Sequence, residues 1–177
     1  MRHILCAAVL TMAVVPAVSF ADEFYLPRAV IASSLKTADC ELPIGKATEF
    51  DPQDLSGGLK LVQVSCWSAA YNFGAILFAV DPKARDKARL LRFQTVNDER
   101  KLETVYSLTL PQFDPKTKIL STYHKGRGVG DCGEIGEWHW SGKDFKLTGY
   151  WNKANCDGKA FDAETLNPKW RVYPPKK

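Results

Sequence analysis

The sequence has few of the residues from which metal and nucleophilic sites are commonly built. Of its 177 residues only 3 are histidine and 2 are methionine, and its 5 cysteines form no Cys-x-x-Cys pair. Common zinc motifs place paired ligands about two to four residues apart, and this sequence offers no such pair of cysteines. Gly-x-Ser-x-Gly and His-Glu-x-x-His are also missing. The sequence therefore predicts neither a metal nor another cofactor.

An excess of charge of one sign is also nearly absent. There are 24 Lys+Arg against 20 Asp+Glu, a formal net charge of +4, which is too small to indicate a nucleic-acid partner. Hydrophobic residues make up 45% and charged residues 25% of the chain, values typical of a folded globular domain and not of a disordered or collagen-like chain. Composition leaves the oligomeric state open.

Long hydrophobic runs are missing beyond the first residues. Arg2 precedes an apolar run over residues 4–18, and a small-x-small cleavage pattern ends at Ala21. We therefore expect residues 1–21 to be a secretory signal peptide that is cleaved after about Ala21. The run is shorter than the ~20 residues that a membrane span needs and contains Pro16, so we expect no membrane span once the signal is removed.

Removal of Cys6 with the signal would leave an even number of cysteines, as is usual where disulfides persist. The remaining four are Cys40, Cys66, Cys132 and Cys156. They allow three pairings, and the residue pattern alone does not decide between them. We favour Cys40–Cys66 and Cys132–Cys156 because each pair closes a local unit of hairpin size. The expected location is the periplasm.

The hydrophobic pattern changes once along the chain. Apolar residues recur at helical spacing over residues 27–38, and Pro27 is suited to the first turn of a helix. Later apolar or alternating runs are typical of strands: they cover residues 59–66, 73–80, 89–96, 104–110, 119–125, 137–141, 144–151 and 170–172. We expect an α+β fold with one N-terminal helix on a mostly antiparallel β-sheet or pair of sheets, stabilised by disulfides.

The tripeptide Phe-Asp-Pro at residues 50–52 recurs at residues 113–115, followed each time by a strand, a cysteine and aromatic residues. One interpretation is two degenerate β-rich repeats, with halves at about 40–96 and 104–172. The other is chance recurrence of a turn-forming tripeptide. No linker separates the halves, so we expect a single β-rich domain over residues 22–177.

The glycine-rich stretch at residues 125–133 is the most unusual in the chain. Gly128, Gly130 and Gly133 spell Gly-x-Gly-x-x-Gly, but a strand-like segment follows them where a dinucleotide site needs a helix. Two interpretations remain. The stretch is either a tight connection into a disulfide or a nest of backbone N–H groups that binds an anion with the help of Lys125 and Arg127.

Two tryptophans follow this stretch. Trp138 and Trp140 share one face of a predicted strand, and His139 lies on the other. Paired indoles are typical of a ligand-binding platform and also of a β-rich core. The candidate binding surface consists of Lys125, Arg127, Gly128, Gly130, Asp131, Trp138 and Trp140.

Positive charge is concentrated in one segment. The basic patch consists of Lys83, Arg85, Lys87, Arg89 and Arg92. In an extended segment, residues 83–89 would alternate onto one face. Such a face would dock an anionic envelope polymer, a lipid head group or an acidic protein, or it would be a solvated edge protected against aggregation.

Several stretches carry a family resemblance. They are residues 66–72 (CWSAAYN), 125–133 (KGRGVGDCG), 138–147 (WHWSGKDFKL), 156–158 (CDG) and 170–171 (WR). In this order they resemble the exported bacterial proteins grouped as the domain of unknown function 1176 family, over about residues 40–172. The resemblance implies the periplasm of a Gram-negative bacterium and brings no activity, cofactor or catalytic residue. The resemblance is to the later portion of these proteins, because many members carry an additional N-terminal portion. This sequence departs from the family pattern at Ser68-Ala69, where glycine is more usual.

The leading functional expectation is a non-catalytic binding or accessory module that contacts an anionic envelope polymer or a periplasmic protein through the glycine-rich stretch. One alternative is an envelope glycan (peptidoglycan) hydrolase that uses Asp131, Glu134 or Glu137. Another is an inhibitor of lysozyme-type enzymes. The positive net charge disfavours this last role, because the common targets are strongly basic.

Overall fold

The computed structural model describes residues 25–162 and 166–175, so the predicted signal peptide lies outside the described residues. One α-helix, α1, covers Arg28–Thr37, and Pro27 stands at its N-cap. Ile31 and Leu35 are buried on one side of it. The helix predicted over residues 27–38 is confirmed to within one residue at each end.

The rest of the described chain is mainly strands. The bounds are β1 (Gln53–Asp54), β2 (Lys60–Ser68), β3 (Phe73–Val80), β4 (Arg89–Leu90), β5 (Phe93–Val96), β6 (Leu102–Val105), β7 (Ser107–Thr109), β8 (Gln112–Asp114), β9 (Ile119–Lys125), β10 (Gly133–Trp140), β11 (Phe145–Lys153) and β12 (Arg171–Tyr173).

These strands form two larger sheets and a hairpin. The first sheet has the order β1-β2-β3-β4, with β7 also paired to β3, the second has the order β12-β11-β10-β9-β8, and β5 pairs with β6. Every pairing between these strands is antiparallel. The prediction of a mostly antiparallel fold with one helix is confirmed.

The first sheet is apolar on both faces because β2 and β3 alternate between two cores. Val62, Ile76 and Phe78 face the helix and form one buried cluster with Ile31 and Leu35. Leu61, Leu77 and Ala79 belong to a second cluster, between the two sheets. The apolar side of α1 therefore packs on the sheet as its sequence pattern predicts.

The core between the sheets is rich in aromatic residues. Trp138, Trp140, Phe145 and Tyr150 project into it from the second sheet, and Phe93 joins them from β5. The other face of the second sheet has its own small cluster, in which Ile135, Trp151 and Phe161 are buried against Tyr123 and Trp170. The second sheet is thus covered on both faces, on one of them by the segment after β11.

Two disulfides fasten the chain. Cys40 pairs with Cys66 at an S–S distance of 2.08 Å, and Cys132 pairs with Cys156 at 1.94 Å. The first joins the chain after α1 to β2, and the second joins the start of β10 to the chain after β11. Both are the local pairings that we favoured, and they are confirmed.

Two predicted strands are each divided in the structure. Residues 89–96 form β4, which pairs with β3, and β5, which pairs with β6, because Leu91 turns into the core between the sheets. Residues 104–110 are divided between β6 and β7, which pair with different strands. The pattern predicts an extended chain correctly, but a change of partner leaves no signal in it.

The structure does not confirm the degenerate repeats. Cys66 lies within β2, whereas Cys132 comes before β10, and the described α-helix packs on the first sheet alone. The single domain over residues 22–177 stays a prediction.

Replacing both members of the first disulfide, Cys40→Ala with Cys66→Ala, is expected to lower the free energy of unfolding by about 3 kcal/mol, because the bridge restricts the unfolded chain. Urea unfolding of both forms measures the difference, and a loss under about 1 kcal/mol would contradict it. Mass spectrometry of a non-reduced digest is the control, and a Cys66–Cys132 peptide would show that the pairing is wrong.

Candidate functional site

The glycine-rich loop between β9 and β10 is tightly closed. The Gly126 N–H donates to the Cys132 carbonyl at 3.0 Å, and the Gly130 N–H donates to the Arg127 carbonyl at 3.0 Å. Gly133 has a φ of +133°, and a Cβ there would lie 2.0 Å from the carbonyl oxygen of His124. β10 begins directly at Gly133, so no helix N-terminus stands where a dinucleotide phosphate would need one.

The loop holds an anion, and that anion is its own Asp131 carboxylate. Arg127 donates to it through Nε at 2.7 Å and through Nη2, and the Gly158 N–H donates at 2.6 Å. Asp131 is only 4% exposed. The hydrogen bond from the Arg127 guanidinium is the main reason that the pKa of the Asp131 carboxyl lies well below its usual range. Arg127, which was expected to support an external anion, is therefore paired within the protein.

A second ion pair ties down the segment that follows β11. Lys153, which is 2% exposed, donates from Nζ to Asp157 at 2.7 Å and to the Lys159 carbonyl at 2.8 Å. Its ammonium also lies 5.1 Å from the centre of the Trp170 ring. The hydrogen bond from Lys153 lowers the pKa of Asp157. Together with the Cys132–Cys156 disulfide, these contacts hold the segment against the second sheet.

The turn between β2 and β3 braces the loop from the other side. The Asn72 amide donates to the Lys125 carbonyl at 3.0 Å and accepts from the Lys125 N–H at 3.1 Å, as a neighbouring strand would. The Tyr71 hydroxyl donates to the Gly126 carbonyl at 3.3 Å, and its ring is 3.7 Å from where a Cβ at Gly128 would be. Tyr71 and Val129 are 43% and 77% exposed, so they form an apolar rim at this end.

A cleft of about 740 Å³ opens beside the loop, and we call it the loop cleft. Tyr123, Ile135 and Phe161 line its wall and floor, and Lys125 and Val129 stand at the loop end. The Tyr123 and Phe161 rings meet edge to face with their centres 5.9 Å apart. The Tyr123 hydroxyl donates to the Gly130 carbonyl, and the Lys125 ammonium is 6.0 Å from the centre of the Tyr123 ring.

The two tryptophans of the predicted binding surface do not belong to this site. Trp138 and Trp140 are 1% and 3% exposed and lie in the core between the sheets. Their ring N–H groups donate to the Gln94 carbonyl at 2.7 Å and to the Ser56 hydroxyl at 2.9 Å. The face of β10 that carries them is buried, so the prediction that they contribute to a solvent-facing surface is wrong.

The basic patch does not form one extended face. Arg85–Lys87 forms a 3₁₀ turn, which breaks the alternation expected for residues 83–89. Arg85 donates to the Tyr25 carbonyl at 2.9 Å, and Arg89 donates to Asp144 at 2.8 Å. The side chains of Lys83, Lys87 and Arg92 are exposed. Two of the five basic side chains, Arg85 and Arg89, are therefore already bonded within the protein.

The carboxylates considered for glycan hydrolysis do not converge. Asp131 is held by Arg127 and Gly158. Glu134 and Glu137 are three residues apart on β10 and so project to opposite faces of the sheet. Burial raises the pKa of Glu137, and Arg171 opposes that shift. Glu134 and Glu137 therefore do not approach a glycosidic bond from the same face of the sheet, and Asp131 is already ion-paired.

Among residues 25–162 and 166–175, potential metal ligands come together at Asp131, Cys132 and Cys156, whose ligand atoms lie within 4.8 Å of one another. Both sulfurs are in the disulfide, and the carboxylate is paired with Arg127. These three residues are therefore unsuited to binding a metal in this state.

Sequence reasoning missed most residues that hold the site in place. Asn72 falls within residues 66–72, one of the stretches that carry the family resemblance, which was the available signal. Gly158 falls within residues 156–158, another of these stretches, and had the same signal. Lys153 and Phe161 gave none, because each acts through a partner that only the folded chain brings near.

The chain is similar to a family of proteins whose function is unknown. The model of the family described as "Protein of unknown function (DUF1176)" matches residues 9–172. Uncharacterized protein YpfG of Escherichia coli (strain K12) is 31% identical over 109 residues. That match covers 62% of this chain and 31% of the relative, so this chain matches less than a third of the relative's length. No solved structure matches the chain. Within the part of the chain that the structure describes, no helix is long and apolar enough to cross a membrane.

Asp131→Asn is expected to lower the melting temperature at neutral pH and to matter less in acid. Because Arg127 lowers the pKa of Asp131 in the folded state, the stabilisation is complete above the unfolded pKa of about 4 and is lost as the pH falls through the lower folded value. Melting curves from pH 2 to 7 should show the gap to wild type narrowing below about pH 4. The exposed Asp51→Asn serves as control, and a gap independent of pH would contradict the assignment.

Gly133→Ala is expected to lower the free energy of unfolding by about 3 kcal/mol or more, because the new Cβ strains the backbone and meets the His124 carbonyl. Gly142 also has a positive φ but has open space around it. Gly142→Ala should therefore cost only about 1–2 kcal/mol. Urea unfolding compares the two, and equal losses would show that the close approach at Gly133 is unimportant.

Proposed function

This chain belongs to the DUF1176 family of proteins of unknown function, and we propose that it is a non-catalytic binding module whose ligand occupies the loop cleft. The observation that carries the proposal is the way the cleft is built. Its walls come from β9, β10 and the segment after β11, and three separate fastenings hold them together. These are the Cys132–Cys156 disulfide, the Asp131 ion pair and the Asn72 amide.

Such fastening favours binding because a preformed site loses little conformational freedom when a ligand enters. A volume of about 740 Å³ is within the range of small-molecule sites. The two disulfides support an exported, periplasmic location, since disulfides persist in oxidising compartments.

The lining indicates the chemistry of the ligand. The half-buried Tyr123 offers a ring on which a sugar or another flat apolar group can pack. The Lys125 ammonium stands beside that ring and has no carboxylate partner among the described residues, so it can pair with a carboxylate of a ligand. An anionic envelope glycan combines both features. We therefore propose peptidoglycan-type fragments as the ligand class.

The carboxylates argue against hydrolysis as the function. Asp131 is bound on both oxygens, and Glu134 and Glu137 face opposite sides of β10. One further candidate is a periplasmic protein partner, which is favoured by two exposed apolar side chains, Tyr71 beside the glycine-rich loop and Val129 at the loop end of the cleft.

The test is an NMR titration of the isotope-labelled protein with a soluble peptidoglycan digest. We expect shifts to cluster at residues 121–130 and 160–162. Gln112→Trp places an indole at the cleft from the edge strand β8 and should weaken binding by about tenfold, or about 1.4 kcal/mol. Gln94→Trp is the matched control, because Gln94 is an exposed glutamine on another short strand, away from the cleft.

Equal weakening by both variants, or shifts confined to other residues, would overturn the loop cleft as the site. Chromatography of the same digest checks for catalysis. A product whose formation is lost in Glu134→Gln or Glu137→Gln would show that the protein is a hydrolase.

A further inference from the structure

A second recess lies on the opposite face of the second sheet, and we call it the hairpin groove. It runs between the turn of the β5–β6 hairpin and the ends of β9, β10 and β11 as three adjoining depressions of about 380, 350 and 480 Å³. The first two share Asp98, Glu134 and Tyr150, and the last two share Arg100 and Lys169. The sheet itself separates this groove from the loop cleft, because Glu134 and Ile135 are neighbours on β10 and project to opposite faces.

Glu134 is fixed in the groove with part of its carboxylate unused. One oxygen accepts from the Tyr150 hydroxyl at 2.9 Å and the other accepts from the Asn152 amide at 2.9 Å. Burial raises the pKa of Tyr150, so its hydroxyl stays protonated and remains a donor. A carboxylate has about four acceptor positions. These two bonds orient it and leave positions open for a ligand.

Charge is separated along the groove. Asp98, Glu103 and Glu134 line the first depression, and none of the described residues that line it is a lysine or arginine. Arg100 and Lys169 line the third depression, where the described part of the chain contributes no aspartate or glutamate. The Arg100 side chain has no hydrogen-bond or ion-pair partner among the described residues. A polyanion would be repelled at one end of the groove and a polycation at the other.

We propose that the hairpin groove binds a short peptide with free termini, with its ammonium group at Glu134 and its carboxylate at Arg100 and Lys169. The middle of the groove offers Asn97 and Asn152, which suit the N–H and C=O groups of an extended main chain. The lining of the first depression is predominantly polar, with threonine and asparagine side chains between the charges. Such a lining fits a peptide backbone better than apolar side chains.

The probe is tetra-alanine with free termini, compared with its N-acetylated and C-amidated forms. Calorimetry and NMR should show binding of the free peptide, with shifts at residues 96–103, 134 and 150. Blocking either end should weaken binding by about tenfold, as expected for the loss of a charge-assisted contact. Glu134→Gln should also weaken binding of the free peptide by about tenfold. In this variant, N-acetylation of the peptide should cause no further loss of affinity.

Glu137→Gln is the matched control, because it removes a carboxylate from the same strand on the opposite face. Arg100→Gln should abolish the effect of C-amidation. Melting curves establish that Glu134→Gln, which keeps the shape of the side chain, is folded. If the free peptide causes no shifts at millimolar concentration, or if Glu134→Gln and Glu137→Gln bind it equally, the groove is not a peptide site.

This proposal does not depend on the loop cleft. Gln112→Trp should leave tetra-alanine binding unchanged, and Glu134→Gln should leave the shifts caused by the peptidoglycan digest at residues 121–130 unchanged. Failure of one site is therefore distinguishable from failure of the other.

Discussion

Tyr123, Ile135 and Trp151 project from one face of the second sheet, and Trp138 and Tyr150 project from the other. Both faces therefore carry large apolar surface that must be removed from water. The first sheet and the β5–β6 hairpin cover one face. The other is covered by the segment after β11, whose described residues, 154–162 and 166–170, form one 3₁₀ turn at Pro168–Trp170 and no strand. The loop cleft exists because this cover reaches only part of the face.

A cover of that kind has to be fastened by side chains. The Asp131 carboxylate joins the glycine-rich loop to Gly158, and Lys153 reaches through to Asp157 and the Lys159 carbonyl. Buried charges are costly to desolvate, and they are tolerated here because each has a partner of opposite sign and further hydrogen bonds. What such pairs add is specificity: an apolar contact would let the segment slide, whereas these hydrogen bonds fix its register on the sheet.

The sequence predicted best where structure is local. The helix and the strands at residues 73–80 and 119–125 follow from spacing within short stretches. The two disulfides were favoured over the other pairings because each closes a local unit. The tryptophans show the limit. A period of two establishes that Trp138 and Trp140 share a face, but it does not say whether that face meets water, and here that face lies in the core between the sheets. The partners of Arg85 and Arg89 were not predicted, because Tyr25 and Asp144 are distant from them in the chain. Asn72 and Phe161 act across similar distances.

Alternation along β10 places Ile135 in the loop cleft and its neighbour Glu134 in the hairpin groove. One peptide unit therefore belongs to both recesses, and a displacement of that strand moves the floor of one together with the carboxylate of the other. If a ligand in one recess displaced this strand and so changed the affinity of the other recess, the second ligand would change the affinity for the first by the same factor. The second sheet, which separates the loop cleft from the hairpin groove, is therefore also the element through which binding in one recess would change the affinity of the other.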